Sequence, residues 1–189
     1  MKKLLVAFAV VALLAPAVFA DDALVKELER TEAKLLQTIE NVSPEQWSYK
    51  SAPDRWSIAE CVEHITAAEP FIRELIVKSL ETPAGDGAKK DEMVLTMLVD
   101  RSKKFKAPEP LIPTNKYATK ADAVAAFKAE RAKTIALAKS DADFRTHGSN
   151  HFAFGPLDSY GWVLFLSGHS ERHTLQIEEV TKTGGYPKI

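Results

Sequence analysis

The chain has 189 residues, with 25 Lys and Arg against 26 Asp and Glu for a formal net charge of −1, and hydrophobic residues make up 46% of it. Its basic residues are interspersed with acids and form no long run, which excludes the electrostatic footprint of a nucleic-acid binder. A single cysteine, Cys61, excludes an internal disulfide, so stability must come from packing or from a bound ligand.

Residues 1–20, MKKLLVAFAVVALLAPAVFA, carry Lys2 and Lys3, an apolar run from Leu4 to Leu14 and a small-residue end, the pattern of a secretory signal peptide. Pro16 breaks the run short of the roughly 20 residues that span a bilayer, so no stable membrane anchor is expected. No cysteine follows directly to carry an acyl chain. The protein is therefore expected to be exported, periplasmic or secreted, with 21–189 as one domain large enough for its own core.

From Leu24 to Ile39, the residues Leu24, Leu28, Leu35, Leu36 and Ile39 recur mostly at steps of three and four, which predicts an amphipathic helix. In SPEQW, Ser43 as N-cap, Pro44 at the first helical position and Gln46 closing a capping box predict a short helical turn. After the loop SAPDRW, Ser57 and Glu60 form a second capping box, and Ile58, Val62, Ile65, Ala68, Ile72, Leu75 and Ile76 follow at helical spacing. ETPAGDGAKK, residues 81–90, is rich in Gly and Lys and predicts a mobile loop. DEMVLTMLVDRSKKF is compatible with a short helix, whereas the prolines of KAPEPLIPTNKY require an extended connector. Thr119 caps a further helix with Asp122 in its first turn. FRTHGSNHFAFGPLDSYG has too many glycines and turn formers for a helix, and the last helix runs from Asp158 or Ser159 to Lys182, stopped by Gly184 and Gly185. Period-two alternation is absent, so no strand is expected. The fold class is all-α, a four-helix bundle with an extra short helix and long connecting loops.

Two of the five histidines, His169 and His173, lie four apart on the last helix, in a stripe with Trp162, Phe165, Leu166, Gln176, Ile177 and Val180. Residues four apart look the same way, so the pair occupies core positions. Ser170 follows the first histidine and Glu171 points to the opposite side, which excludes the zincin protease motif. Two stacked imidazoles compete for partners and repel if protonated; a divalent cation resolves both problems. His64 lies on or beside the apolar stripe of the second long helix, and ligands from facing helices converge in bundle cores. Three imidazoles would leave a position open, as catalytic zinc sites do, and nickel or ferrous iron fits the same donors. The alternative is a set of core histidines bonded to backbone carbonyls. Cys61 reads as a small buried hydrophobe rather than a ligand or nucleophile. His147 and His151 fall in a loop and read as structural or pocket-rim groups, with His151 the one that could reach a metal or substrate.

DRWSIAECVEHI resembles the segment of the DinB superfamily in which Trp and Ser open the second helix and a histidine follows. HFAFGPLDSYGWVLFLSGHSERHTLQIEEV resembles that superfamily's last helix, with its histidine pair followed by Gln and Glu. The resemblance spans the chain from first helix to last. It implies a DinB-like four-helix bundle in which His64, His169 and His173 hold a divalent metal, zinc or nickel. It also implies a reaction of the kind known in relatives, which join low-molecular-weight thiols to electrophiles or use a thiol to isomerise a substrate.

The expectation is an exported protein with a metal on His64, His169 and His173, acting as an enzyme of the thiol transferase or hydrolase type on a small molecule. A non-catalytic bundle that binds a metal or a small ligand is the alternative. The ion would activate water or a thiol, with Glu60 or Glu63 as general base. Mixed charges on the helix faces speak against a membrane-surface role. Spare apolar surface on a bundle is compatible with a homodimer.

Overall fold

Six α-helices and one β-hairpin make up residues 22–188, the part of the chain that the computed structural model describes; the leader-like segment 1–20 lies outside it. Four helices are long, α1 (Asp22–Ile39), α3 (Ile58–Leu80), α5 (Lys120–Ala138) and α6 (Ser159–Thr181), and two are short, α2 (Pro44–Ser48) and α4 (Asp91–Val99). The all-α four-helix bundle expected from periodicity is therefore present, with two short helices. No helix among the described residues is long and apolar enough to cross a membrane.

The caps form as the sequence implies. Ser43 with Gln46 and Ser57 with Glu60 make reciprocal capping boxes, and the Thr119 hydroxyl accepts the Asp122 N–H. Each satisfies backbone donors that a helix start leaves unpaired. α6 packs against α1, α3 and α4, while α5 closes the ring against α1 and α3. With neighbours on three sides, the first ten residues of α6 are all buried. A Cβ on Gly168 would come within 2.7 Å of Leu98 Cδ1, so the glycine is what lets α4 lie this close.

The apolar core is split. One cluster joins Leu24, Leu28, Ala68, Ile72, Leu98 and Leu166, and the other joins Leu35, Ile39, Ile58, Ile65, Phe127 and Ile177. Between them runs a polar layer. The Arg131 guanidinium on α5, 0% exposed, donates to Glu69 Oε1 of α3 (2.9 Å), to the Leu28 carbonyl (2.8 Å) and Thr31 hydroxyl (2.9 Å) of α1, and to Ser170 Oγ of α6 (2.6 Å). Thr134 Oγ1 donates to the other Glu69 oxygen at 2.7 Å. One buried cation thus touches all three other long helices, with its donors taken up as burial requires.

Two features depart from the sequence reading. Gly148–His151 (β1) and Gly155–Asp158 (β2) pair antiparallel where no strand was expected. Strands of four residues are too short to show alternation, and their pairing rests on the loop Phe152 to Phe154 and on Gly155 at φ +66°, a value that suits glycine. The 81–90 segment, expected to be mobile, is tied to this hairpin region by Gly85 N–H to the Thr146 carbonyl (2.7 Å), Asp158 N–H to the Ala88 carbonyl (3.1 Å) and Lys90 Nζ to the Phe154 carbonyl (2.5 Å). The hairpin delivers Asp158 as N-cap of α6, its carboxylate accepting the Gly161 N–H at 2.7 Å.

Candidate metal centre

α3 and α6 run side by side and bring His64, His169 and His173 together, with one ligand atom from each lying within 4.8 Å of the others. His64 Nε2 and His169 Nε2 are 3.1 Å apart. Two nitrogens bound to one tetrahedral ion at about 2.1 Å stand roughly 3.4 Å apart, so this pair already has the spacing of a shared ion.

The outer nitrogens are held. His64 Nδ1 faces the Leu111 carbonyl at 2.7 Å and His173 Nδ1 faces Gln176 Oε1 at 2.9 Å. Facing an oxygen acceptor, each Nδ1 must carry the proton, which leaves the lone pair on Nε2. Burial pushes all three imidazoles below the ordinary histidine value, His169 and His173 furthest because each also feels a neighbouring histidine. The donors are therefore neutral and ready to bind a cation. Trp56 packs on the His64 and His173 rings, with centroids 4.8 and 5.9 Å away.

The carbonyl that orients His64 comes from a 3-10 turn, Glu109–Leu111, in the proline-rich connector. Glu63 fixes that connector: its carboxylate accepts Thr114 N–H (2.7 Å), Thr114 Oγ1–H (3.0 Å) and Lys116 N–H (3.0 Å). Glu60 is occupied as well, with Ser57 N–H at 2.7 Å and Lys50 Nζ at 2.9 Å. Neither carboxylate lines the cavity over the triad, so the expectation of a general base at Glu60 or Glu63 is corrected: both are structural. Glu171 turns away from the triad, as its helical position predicts, and pairs with Arg30 and Lys34 of α1.

A cavity of about 410 Å³ opens above the triad, with Phe71, Leu75, Met97 and Phe165 in its walls and Gln176 beside the histidines. It falls within the size range of small-molecule sites. Arg172 borders it but is spent on structure, donating to the Leu98 (3.0 Å) and Asp100 (2.6 Å) carbonyls at the end of α4, where a cation complements the helix dipole, and to the Lys103 carbonyl in the loop beyond.

Cys61 is 0% exposed, its thiol pushed up by burial, and it is not part of the triad cluster. The native protein is expected to leave Cys61 unmodified by an aromatic disulfide reagent, with reaction appearing only at the global unfolding rate. Fast labelling under native conditions would contradict its burial.

His147 donates from Nδ1 to the Thr82 carbonyl at 2.6 Å and is structural. His151 does not join the triad. It sits among Phe152, Phe154, Trp162 and Phe165, and Nδ1 accepts the Ala153 N–H at 3.0 Å. Its proton therefore lies on Nε2, which is buried with no hydrogen-bond partner among the described residues. Burial pushes its pKa down to about 4. An unfolded histidine titrates near 6.5, so between these values the unfolded chain holds the extra proton. The stabilisation is complete above about pH 6.5 and is lost as pH falls toward 4, roughly 3 kcal/mol over the span. Urea titrations from pH 7 to 4.5 should show a shallower loss for His151→Phe than for the wild type, and parallel slopes would refute this assignment.

Residues 27–177 match the family described as the DinB superfamily. The chain is 23% identical over 145 residues to the Bacillus subtilis (strain 168) protein YuaE, itself uncharacterised, covering 75% of this chain and 87% of that one. In fold it is similar to YfiT from Bacillus subtilis, with a TM-score of 0.58, 20% identity and 85% of each chain covered. YfiT is described as "a probable metal-dependent hydrolase with an unusual four-helix bundle topology".

Proposed function

Because the chain belongs to the DinB superfamily, we propose that it is a metal-dependent hydrolase of a small substrate, its divalent ion held by His64, His169 and His173. The observation that carries this reading is the 3.1 Å approach of two Nε2 atoms whose rings are otherwise held or buried. When bound, the ion supplies Lewis acidity to a carbonyl and to the attacking water. The chain's own part is positional. Leu111 and Gln176 hold two of the imidazoles in the tautomer that offers Nε2, Glu63 keeps the Leu111 turn in place, and the apolar walls give the substrate a surface to pack on. Three protein ligands leave a position open for substrate or water.

Zinc and nickel suit the nitrogen donors best, and iron fits the same set. The likeness in fold to YfiT supports hydrolysis over thiol transfer. On the composition of residues 1–20 we place the enzyme outside the cytoplasm, which predicts an exported form beginning near Asp21, readable by mass spectrometry. The test is elemental analysis of protein purified without a histidine tag, followed by turnover of activated esters and amides by the zinc- and nickel-loaded forms. About one equivalent of metal with ester or amide turnover is expected. One equivalent with no turnover would reduce the protein to a metal-binding bundle, and no metal after soaking would remove the centre altogether.

A further inference from the structure

The charges lining the cavity are not a sample of the chain. Overall the chain is balanced at a net charge of −1. Around the cavity the charged residues are Asp54, Arg55, Arg101, Lys104, Lys106 and Arg172, five of the six basic. Two are already committed: Arg172 to backbone carbonyls and Arg101 to Glu179, in a two-pronged pair at 2.9 and 3.0 Å. Arg55, Lys104 and Lys106 are exposed and make no ion pair or side-chain hydrogen bond among the described residues; Glu179, paired with Arg101, is near enough to Arg55 and Lys104 to feel their charge, and Asp54 adjoins Arg55. A rim with cations in excess above a mainly apolar cavity attracts anions and repels cations.

The apolar side of the cavity is equally marked. Phe152 is 82% and Phe105 67% exposed, and with Phe71 and Met97 they account for four of the eight large hydrophobic side chains exposed among the described residues, all four bordering this one opening. Such a concentration marks a binding surface, where scattered exposed hydrophobics would not.

We propose that the cavity takes an anionic amphiphile, an apolar chain or ring system seated against Phe71, Phe105, Phe152 and Phe165 with a carboxylate or phosphate held by Arg55, Lys104 and Lys106. This rests on the cavity being the substrate site of the hydrolase, and it divides the work. The histidines face the scissile group, and the exposed cations of the rim hold an anionic group. A neutral or cationic substrate of the same length gains nothing from the rim.

The test compares decanoate, decanol and decylammonium by calorimetric titration of the protein as purified, with its metal content measured in parallel. Decanoate is expected to bind about tenfold more tightly than decanol, the scale of two or three partly exposed charge contacts, with decylammonium weakest. The triple variant Arg55→Gln, Lys104→Gln, Lys106→Gln keeps the triad and its metal, so a decanoate affinity lowered to that of decanol assigns the preference to the rim. Equal affinity for the three probes, or preference for decylammonium, overturns the proposal while leaving a metal-containing hydrolase intact; lack of metal tells against the centre instead. Phosphatidylglycerol vesicles run alongside identify the source of the anion. Sedimentation with vesicles that the triple variant loses makes it a bilayer lipid, and binding of decanoate without vesicle binding makes it a free molecule.

Discussion

His169→Ala protein is expected to emerge from purification with essentially no zinc or nickel, where the native protein carries about one equivalent. His169 Nε2 lies 3.1 Å from His64 Nε2, so the substitution removes one of the two donors that stand closest together. Structural zinc sites bind with about 10–16 kcal/mol over four ligands, so losing one costs roughly 3 kcal/mol, a factor of about a hundred in affinity. Gln176→Ala, which frees the His173 ring without removing a ligand, should weaken binding by about tenfold to a hundredfold. Chelation should lower the melting temperature of the native protein and leave that of His169→Ala unchanged, since a metal that binds only the folded state stabilises it by mass action. Undiminished metal in His169→Ala would place the ion elsewhere.

Arg131→Ala should lose about 3–5 kcal/mol of stability, a large part of the roughly 5–15 kcal/mol that holds a domain folded. The substitution strands the Glu69 carboxylate, 1% exposed, without its countercharge and leaves Ser170 and Thr31 without their donor. Glu69→Ala should cost a similar amount, and the double alanine variant much less than the sum, because each single change exposes the other's unpaired charge. Replacing both with apolar residues of similar volume, Arg131→Met with Glu69→Leu, should recover most of the loss. Urea denaturation measures all four; a loss below about 1 kcal/mol for Arg131→Ala would show the pair to be solvated in practice.

These two sites were not equally legible in the sequence. The helices, their caps and the three histidines followed from local rules, since capping boxes and stripes depend on residues three and four apart. Pairing across elements is another matter. Nothing near His64 announces that the Leu111 carbonyl, 47 positions on, will face its ring. Adjacency to His64 in sequence suggests Glu63 as a base, yet a one-residue step turns a side chain about 100° around a helix, away from the site. The Arg131 network does leave a trace in the sequence: Ala123, Phe127, Arg131, Thr134 and Ala138 form one buried stripe at steps of three and four, so the arginine falls where an apolar residue is expected. The hairpin left none, being too short for a pattern and fixed by contacts with the 81–90 segment.

The polar layer also acts on where things sit along the bundle axis. Glu69 lies five residues after His64 on α3, and Ser170 directly follows His169 on α6; Arg131 grips both. Apolar faces tolerate sliding, since one methyl ridge is much like the next, but a guanidinium bonded to three helices does not. A slip of one turn, about 5.4 Å, would break that grip and carry His64 away from His169 by more than the distance that separates them. The arginine therefore works as a dowel. It sets the axial alignment that two imidazoles on separate helices need in order to meet, without touching either.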